Sequence, residues 1–290
     1  MTDEETTILG GDGYPPDLVV ALVRATEAAA EASRGWFGRR DKNAADAAAV
    51  EAMRAVLADA PFEGRVVIGE GEKDEAPMLA NGEFLGRGGP ACDIAVDPLD
   101  GTRLVAEGLP GSIAVIALAP RGTMFDPRGV YYMDKLVCCA EGAGLLDLRR
   151  SSADNLTALS AAKGVAVGEL TVAVLDKPRH TDLIGEIRSA GARVHLVGEG
   201  DVATAVAAAT PGSGIDLAVG IGGTPEGVIS ACAVRALGGF IQGRLAPRDE
   251  RERAAAFASG YDLARILEGD DLVGTDRVLF VSSPVSVTLK

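Results

Sequence analysis

The sequence is poor in the residues that mark several common kinds of enzyme site. Its 290 residues include only two histidines, His180 and His195, which are too few and too scattered for a histidine-rich zinc site. The four cysteines show no CxxC spacing, and we interpret Cys138 and Cys139 as small core residues rather than a redox pair. No HExxH, GxSxG or P-loop motif occurs, which excludes the mechanisms that depend on them.

Positive charge is also scarce. Lys and Arg number 28 against 42 Asp and Glu, which gives a formal net charge of −14. Nucleic acid and anionic membrane surfaces repel such a chain, so we expect neither as a partner. An anionic small molecule is not excluded, because a local cluster of Lys and Arg with a bound metal can reverse the field inside one cleft.

Long hydrophobic runs are missing as well. No apolar stretch approaches the roughly 20 residues of a membrane-spanning helix. The first residues, MTDEETT, are acidic and lack the apolar segment of a secretory signal, so we expect a cytoplasmic protein. Aromatic residues make up 4% of the chain and hydrophobic residues 47%, which indicates a folded core of Ala, Val, Leu and Ile.

The apolar pattern predicts alternating helices and strands, as in α/β or α+β proteins. In the first half it predicts helices over 18–33 and 43–60, and strands over 65–68, 94–96, 112–119 and 131–139. We expect the last two strands to pair. In the second half the pattern predicts strands over 170–175, 193–197 and 217–221, and helices over 181–190, 202–209 and 225–237. A link at 149–155 (RRSSADN) is expected to separate two folded parts, 17–150 and 151–290. Residues 1–16 are expected to form a flexible arm.

The segment AVDPLDGT, residues 95–102, is the most informative stretch that is present. We expect Pro98 to end a strand, so that the carboxylates of Asp97 and Asp100 project from its end. Carboxylate oxygens are hard ligands for divalent metals, and Gly101 and Thr102 could approach an anion closely. The same residues also suit an ordinary surface turn, and the fragment alone leaves both interpretations open.

Four further acids lie at positions that could serve a metal. Glu70 and Glu72 follow a predicted strand end in GEGEKDE, where a solvated acidic loop is the simpler interpretation. Asp46 stands on an alanine-rich helix and on its own reads as a solvent-facing residue. Glu226 begins a helix after the glycine-rich turn GIGGTP, where an acid is placed among free N–H groups.

Because basic residues are few, their clustering carries information. Lys177 and Arg179 lie in KPRH directly after a strand, where Arg could bind a phosphate bidentately and Lys as a point charge. A structural role at a helix start is less attractive, since cations there oppose the helix dipole. For His180 and His195 a core or surface role is the better interpretation.

Seven segments in order resemble the class II fructose-1,6-bisphosphatase family of bacteria, within the lithium-sensitive sugar and inositol phosphatase superfamily. They are DKNAADAAAVEAMR, VVIGEGEKDEAPML, DIAVDPLDGT, YYMDKL, LDKPRH, GDVATA and GIGGTPEGVISA, within residues 17–244. The resemblance implies a layered α-β-α-β-α sandwich. It also implies hydrolysis of the 1-phosphate of fructose 1,6-bisphosphate with Mg²⁺ or Mn²⁺, and a homo-oligomer, either a dimer or a tetramer.

The resemblance also assigns roles to individual residues. It places metal ligands at Asp46, Glu70, Asp97, Asp100 and Glu226. It makes Asp97, Glu70 and Thr102 the catalytic residues, with Thr102 polarising the attacking water. It places sugar-phosphate contacts at Asp100, Gly101, Thr102, Tyr132, Lys177, Pro178, Arg179, Glu199, Gly200, Asp201 and Gly223.

The sequence departs from the family pattern at some positions. Asp100 stands where the family usually has Glu, and Glu199 where it often has Asp. After Arg244 the resemblance fades, and the C-terminal end is expected to be shortened. Two other functions therefore stay open: a phosphatase for another sugar phosphate, such as sedoheptulose 1,7-bisphosphate or one of specialised metabolism, and a catalytically silent sugar-phosphate-binding protein.

Overall fold

The computed structural model describes residues 5–69 and 79–285, which contain twelve strands and nine α-helices. The strands are β1 (Thr7–Gly10), β2 (Glu63–Ile68), β3 (Phe84–Leu85), β4 (Ala91–Asp100), β5 (Ile113–Pro120), β6 (Tyr132–Cys138), β7 (Thr171–Leu175), β8 (Arg193–Val197), β9 (Leu217–Gly223), β10 (Phe240–Leu245), β11 (Leu267–Glu268) and β12 (Leu279–Pro284). The helices are α1 (Pro16–Arg34), α2 (Lys42–Ala58), α3 (Thr102–Glu107), α4 (Ser152–Lys163), α5 (Thr181–Ser189), α6 (Asp201–Ala209), α7 (Thr224–Ala236), α8 (Glu250–Ala258) and α9 (Gly269–Leu272).

The chain divides into two compact units. The first contains the residues up to Asp126 and those from Val273 onwards, and the second contains Pro127–Leu272. The polar link at residues 149–155, where the sequence predicts a boundary, lies inside the second unit. The difference arises because β6 pairs within the second sheet and β12 returns to the first, so that spatial pairing rather than a polar link sets the division.

The first unit is a six-stranded sheet in the order β1-β12-β5-β4-β2-β3. The pairs are antiparallel except β2 with β4, which are parallel. Helices α1 and α2 pack together on one face, where apolar residues such as Leu22 and Met53 contact alternate residues of the central strands. Asp41 caps α2 by accepting a hydrogen bond from the Ala44 N–H (3.0 Å), as its place before an alanine-rich run predicts.

The second unit is another six-stranded sheet, in the order β11-β10-β6-β9-β7-β8. Strands β8, β7 and β9 are parallel neighbours, whereas β6 and β10 run antiparallel to theirs. Helices α4 and α5 cover a core on one face that includes Leu159, Val172 and Ile187. Helices α6 and α7 pack together against β6 and β9. The predicted strand–helix alternation of residues 170–237 is confirmed here.

Two details of the sequence interpretation are wrong. The arm 1–16 is not loose throughout, because Thr7–Gly10 forms β1 and pairs with Leu279–Ser282 of β12. The strand at 131–139 does not pair with 112–119: β6 lies between β9 and β10, and β5 lies between β4 and β12. The partners of β1 and β6 are distant in sequence, and a local pattern cannot identify them.

The α/β class is confirmed, and each sheet is covered by helices. The five-layer order implied by the resemblance stays a prediction. Across the described ranges, no helix is both long and apolar enough to cross a membrane.

Candidate active site

The carboxylates of AVDPLDGT lie at the end of β4, in a strand that is longer than predicted. Pro98 does not end the strand, since β4 runs to Asp100. Asp97 pairs with Val115 and Asp100 with Ile113, so β4 advances three residues while β5 advances two. This is a β-bulge, and a proline can sit in it because no ladder hydrogen bond is required there.

The bulge determines where the two acids point. Residues three apart in a regular strand lie on opposite faces, but the extra residue brings Asp97 and Asp100 to the same face. Ile94, Val96 and Leu99 belong to the core beneath α1 and α2, whereas Asp97 and Asp100 are not part of that core. Asp100 is buried, with 6% of its surface exposed, and Asp97 is half-buried. Two carboxylates side by side repel each other, which favours a bound cation between them.

The turn after β4 is built from Gly101 and Thr102. Gly101 has a φ of 88° and precedes α3, whose first residue is Thr102. A side chain at Gly101 would be strained by this angle and would approach Leu104 and Ser112 to 3.1 Å. Ser112 donates a hydrogen bond from its hydroxyl to the Gly101 carbonyl (2.7 Å), which fixes the turn.

Asp46 lies on α2, four residues after its first residue, and is half-buried. The loop before α2 is bound to α3, because the Gly38 and Arg40 N–H groups donate to the carbonyls of Val105 and Ala106 (2.8 Å each). The start of α2 is therefore held beside the helix that follows Gly101. Glu70 and Glu72, the remaining candidates of this half, lie outside the described residues.

Asp93, which the sequence analysis did not single out, lies on the same strand and has a different role. It is buried, and its Oδ2 accepts hydrogen bonds from the N–H groups of Gly122, Thr123 and Met124 (2.7–3.2 Å). These bonds hold the turn after β5, so Asp93 is a structural acid. Its only sequence signal was a carboxylate within an apolar strand.

Glu226 lies in the first turn of α7, in the second unit. Its carboxylate folds against Gly223, where a Cβ atom would come within 1.6 Å of Glu226 Oε2. Among the described residues, this buried Oε2 has no hydrogen-bond partner. A buried acceptor without a donor is costly, and a cation would satisfy it.

The donor chemistry fits a hard divalent cation, because all five proposed ligands are carboxylates. In residues 5–69 and 79–285 there is no group of three or more His, Cys, Asp or Glu side chains placed to hold one metal ion. The proposed ligand Glu70 is outside those ranges, so the set is described only in part.

In the second unit the aromatic ring of Tyr132 lies beside two guanidinium groups. Arg179 is 5.5 Å from the ring centroid and Arg248 is 5.6 Å from it. Arg179 also donates from Nε and Nη2 to the Ile221 carbonyl (2.9 and 2.7 Å), which anchors it to β9. The resemblance assigned Tyr132 and Arg179, and the structure brings them together. Arg248 was missed, because it lies beyond the matching motifs.

The KPRH segment is held in place by its histidine. His180 is buried; its Nε2 accepts from the Ile221 N–H (2.8 Å), and its Nδ1 lies 2.7 Å from the Leu175 carbonyl. The core interpretation of His180 is therefore confirmed. Lys177 precedes the 3₁₀ turn Pro178–His180, and its Nζ lies 3.9 Å from the carboxylate of Glu199. The segment thus presents two cations on one rigid turn.

Lys135 links several of the expected sugar contacts. It is 4% exposed, forms an ion pair with Asp201, and donates to the Gly223 carbonyl (3.1 Å). Asp201 begins α6 after Gly200, which has a φ of 97°. A Cβ atom at Gly222 would come within 2.0 Å of Asp201 Oδ2 and 2.8 Å of Lys135 Nζ. The glycine turn therefore leaves room for this ion pair, in which the Lys135 side chain is buried and Asp201 is half-buried.

The cysteines take no part in this chemistry. All four are buried and unbonded as disulfides. Burial, with the neighbouring Cys139 thiol, raises the pKa of Cys138 to about 12, so its reactive thiolate is disfavoured. The interpretation of Cys138 and Cys139 as core residues agrees with this burial.

Comparison with known proteins identifies the family. The family described as "Bacterial fructose-1,6-bisphosphatase, glpX-encoded" matches residues 16–288, well beyond Arg244 where the motif resemblance fades. Similar proteins include fructose-1,6-bisphosphatase 1 class 2 of Escherichia coli and the class 2 enzyme of Shigella flexneri. Each is 42% identical over 284 residues, covering 93% of this chain and 84% of the relative.

Solved structures give a weaker likeness. The extragenic suppressor protein suhB of Bartonella henselae is 15% identical, with a TM-score of 0.37 over 66% of this chain and 73% of that one. An extragenic suppressor from Pyrococcus furiosus is 12% identical, with a TM-score of 0.32 over 61% and 63%. The sequence relationship alone, at 42% identity over nearly the whole chain, is decisive: the chain belongs to the bacterial, glpX-encoded fructose-1,6-bisphosphatase family.

Proposed function

We propose that this protein hydrolyses the 1-phosphate of fructose 1,6-bisphosphate, giving fructose 6-phosphate and inorganic phosphate. The observation that carries the proposal is the 42% identity to class 2 fructose-1,6-bisphosphatases over 93% of the chain. The two kinds of group that such a reaction requires are both present: acids suited to a divalent metal, and cations suited to a phosphate.

The acids would hold the metal. We propose Asp46, Glu70, Asp97, Asp100 and Glu226 as ligands of Mg²⁺ or Mn²⁺, supported by their carboxylate chemistry and by the unpartnered Oε2 of Glu226. When bound, the metal neutralises phosphate charge and activates water. Thr102, in the turn fixed by Ser112, would orient that water, and Asp97 and Glu70 would be the catalytic acids.

The cations would hold the substrate. Lys177 and Arg179 lie on a turn fixed by His180, and a cation placed in advance needs little ordering when a phosphate binds. We propose that they bind the phosphate that is not cleaved and so position the other. Together with these two cations, six further residues would surround the sugar: Tyr132, Pro178, Glu199, Gly200, Asp201 and Gly223. The reacting phosphate would be contacted by Asp100, Gly101 and Thr102.

A panel of substrates tests the proposal. Phosphate release is measured with Mg²⁺ and with Mn²⁺ from fructose 1,6-bisphosphate, sedoheptulose 1,7-bisphosphate, fructose 1-phosphate and fructose 6-phosphate. We expect fructose 1,6-bisphosphate to have the highest kcat/KM and ³¹P NMR to identify fructose 6-phosphate as the product. Turnover of another sugar phosphate without this one would overturn the substrate assignment. Tight binding without any turnover would show a silent binding protein instead.

We also propose a homo-oligomer, as the resemblance implies, and a cytoplasmic location. Light scattering at the assay concentration tests the first, with a dimer or tetramer as the expected mass. A monomer with full activity would contradict it.

A further inference from the structure

Arg248 lies against the aromatic ring that also contacts Arg179. The two guanidinium carbons are 5.6 and 5.5 Å from the Tyr132 centroid, within the range of cation–π attraction. Arg248 is not among the residues that the family motifs assign, because it follows β10 and precedes α8. Its side chain is 63% exposed, so its remaining N–H groups can reach a ligand.

The position of Arg248 is fixed by the surrounding backbone. The Asp249 side chain caps α8 by accepting from the Glu252 N–H (2.9 Å), and Glu252 Oε2 accepts from the Arg248 N–H (3.0 Å). Glu252, 4% exposed, also pairs with the Arg248 guanidinium at 3.2 Å. The Ala246 N–H donates to the Tyr132 carbonyl (2.9 Å), which ties this segment to β6. Together these contacts direct Arg248 toward the Tyr132 ring.

The basic side chains near the Tyr132 ring differ in whether a carboxylate lies beside them. Lys177 faces Glu199 and Arg248 faces Glu252, but within the described part of the chain Arg179 has no carboxylate partner and donates to a carbonyl instead. A dianion bound beside the ring would be attracted by both guanidinium groups. Guanidinium groups are well suited to this, because their planar N–H groups match the geometry of phosphate oxygens.

We propose that Arg248 is a further substrate-binding residue, which together with Arg179 binds the uncleaved phosphate of a sugar bisphosphate beside Tyr132. The proposal rests on the proposed function and deepens it, since it makes the second phosphate a determinant of specificity. It places a substrate contact in the segment between β10 and α8, which the matching motifs do not include.

The test compares two substrates that differ only in the second phosphate. Kinetics are measured for wild type, Arg248→Ala and Arg248→Lys with fructose 1,6-bisphosphate and with fructose 1-phosphate. We expect Arg248→Ala to raise KM for the bisphosphate about threefold to tenfold, with kcat and the monophosphate KM nearly unchanged. Arg248→Lys should recover part of the loss, because it keeps the charge but not the planar N–H geometry.

Arg253→Ala is the matched control, because Arg253 is also an arginine of this region and pairs with Glu250 of the same helix at 3.5 Å. It should leave both KM values unchanged. An unchanged bisphosphate KM in Arg248→Ala would overturn the proposal, as would equal losses on both substrates. If wild type hydrolyses neither substrate, the proposed function has failed. Equilibrium binding of the same two ligands then decides the role of Arg248 separately: a selective loss of bisphosphate affinity supports it, and no selective loss overturns it.

Discussion

The end of β4 and the surroundings of Tyr132 are assembled in different ways. The first is one continuous segment, in which a bulge, a proline and a glycine turn bring Asp97, Asp100 and Thr102 together. The second combines side chains from β6, the KPRH turn and the segment before α8, which are far apart in sequence. The proposed metal-binding segment can therefore be recognised from a short motif, whereas the proposed phosphate-binding cluster is recognised only in part.

The difference has a physical basis. Carboxylates that share a cation must lie within a few ångströms of each other, and a single bulged strand can achieve this over four residues. A second phosphate lies farther from the reacting bond, so side chains from several elements can contact it. The two regions should accordingly affect different kinetic constants.

The largest effect is expected at the end of β4. Asp97→Asn should lower kcat more than about 100-fold, because residues that only support a metal ligand already contribute about 10–100-fold. Phosphate release at saturating metal measures this effect, and the Tm should change little because Asp97 is half-buried.

Asp93→Asn is the control for this prediction, on the same strand. It weakens the acceptor of three backbone N–H groups, so it should lower the Tm while the folded protein keeps its kcat. If Asp97→Asn kept the wild-type rate, or if the two variants lost kcat equally, the distinction between the two aspartates would be wrong.

A smaller and more selective effect is expected at the KPRH turn. Arg179→Ala or Lys177→Ala should raise KM for fructose 1,6-bisphosphate about tenfold to a hundredfold, as for loss of a charged hydrogen bond. The KM for fructose 1-phosphate should change much less. Kinetics with both substrates measure the ratio, and a proportional loss on both would place these cations at the reacting phosphate instead.

Lys135 should affect stability more than specificity. Lys135→Met leaves Asp201 without its buried partner and should cost about 3 kcal/mol in the free energy of unfolding, measured by urea titration. Lys163→Met is the comparison, since the Lys163–Asp216 pair is more exposed, at 22% for each side chain, and should cost less. A larger loss for Lys163→Met would contradict this ranking.

The smallest effect is expected for the chemical modification of Cys138, which lies at the opposite end of β6 from Tyr132. Because burial raises the pKa of Cys138 to about 12, its thiol stays protonated at pH 8 and should resist iodoacetamide. Mass spectrometry of the folded protein should find Cys138 unmodified, whereas the protein unfolded in urea should be alkylated there. Rapid alkylation in the folded state would show that this part of β6 is accessible.

Much of the fold could be predicted from local sequence pattern. The helices α1 and α2 and the alternation from Leu170 to Leu237 follow from apolar spacing and turn residues. The pairing of β1 with β12, and of β6 with β9 and β10, could not be predicted, because those partners are far apart in the chain.

The site was predictable to the extent that its residues lie in motifs. Asp97, Asp100, Lys177 and Arg179 stand in recognisable segments, although the bulge that aligns the two aspartates was mistaken for a strand end. Arg248 lies in an ordinary charged segment, APRDERER, in which nothing local separates it from Arg253. Only the packing of that segment against Tyr132 distinguishes it.

The division of roles between the two regions is tested most directly by Mn²⁺ binding, followed by electron paramagnetic resonance in wild type, Asp97→Asn and Arg179→Ala. We predict that Asp97→Asn weakens Mn²⁺ affinity at least about tenfold and that Arg179→Ala leaves it within about twofold of wild type. Unchanged Mn²⁺ affinity in Asp97→Asn, or an equal loss in both variants, would contradict the assignment of the metal to the carboxylates.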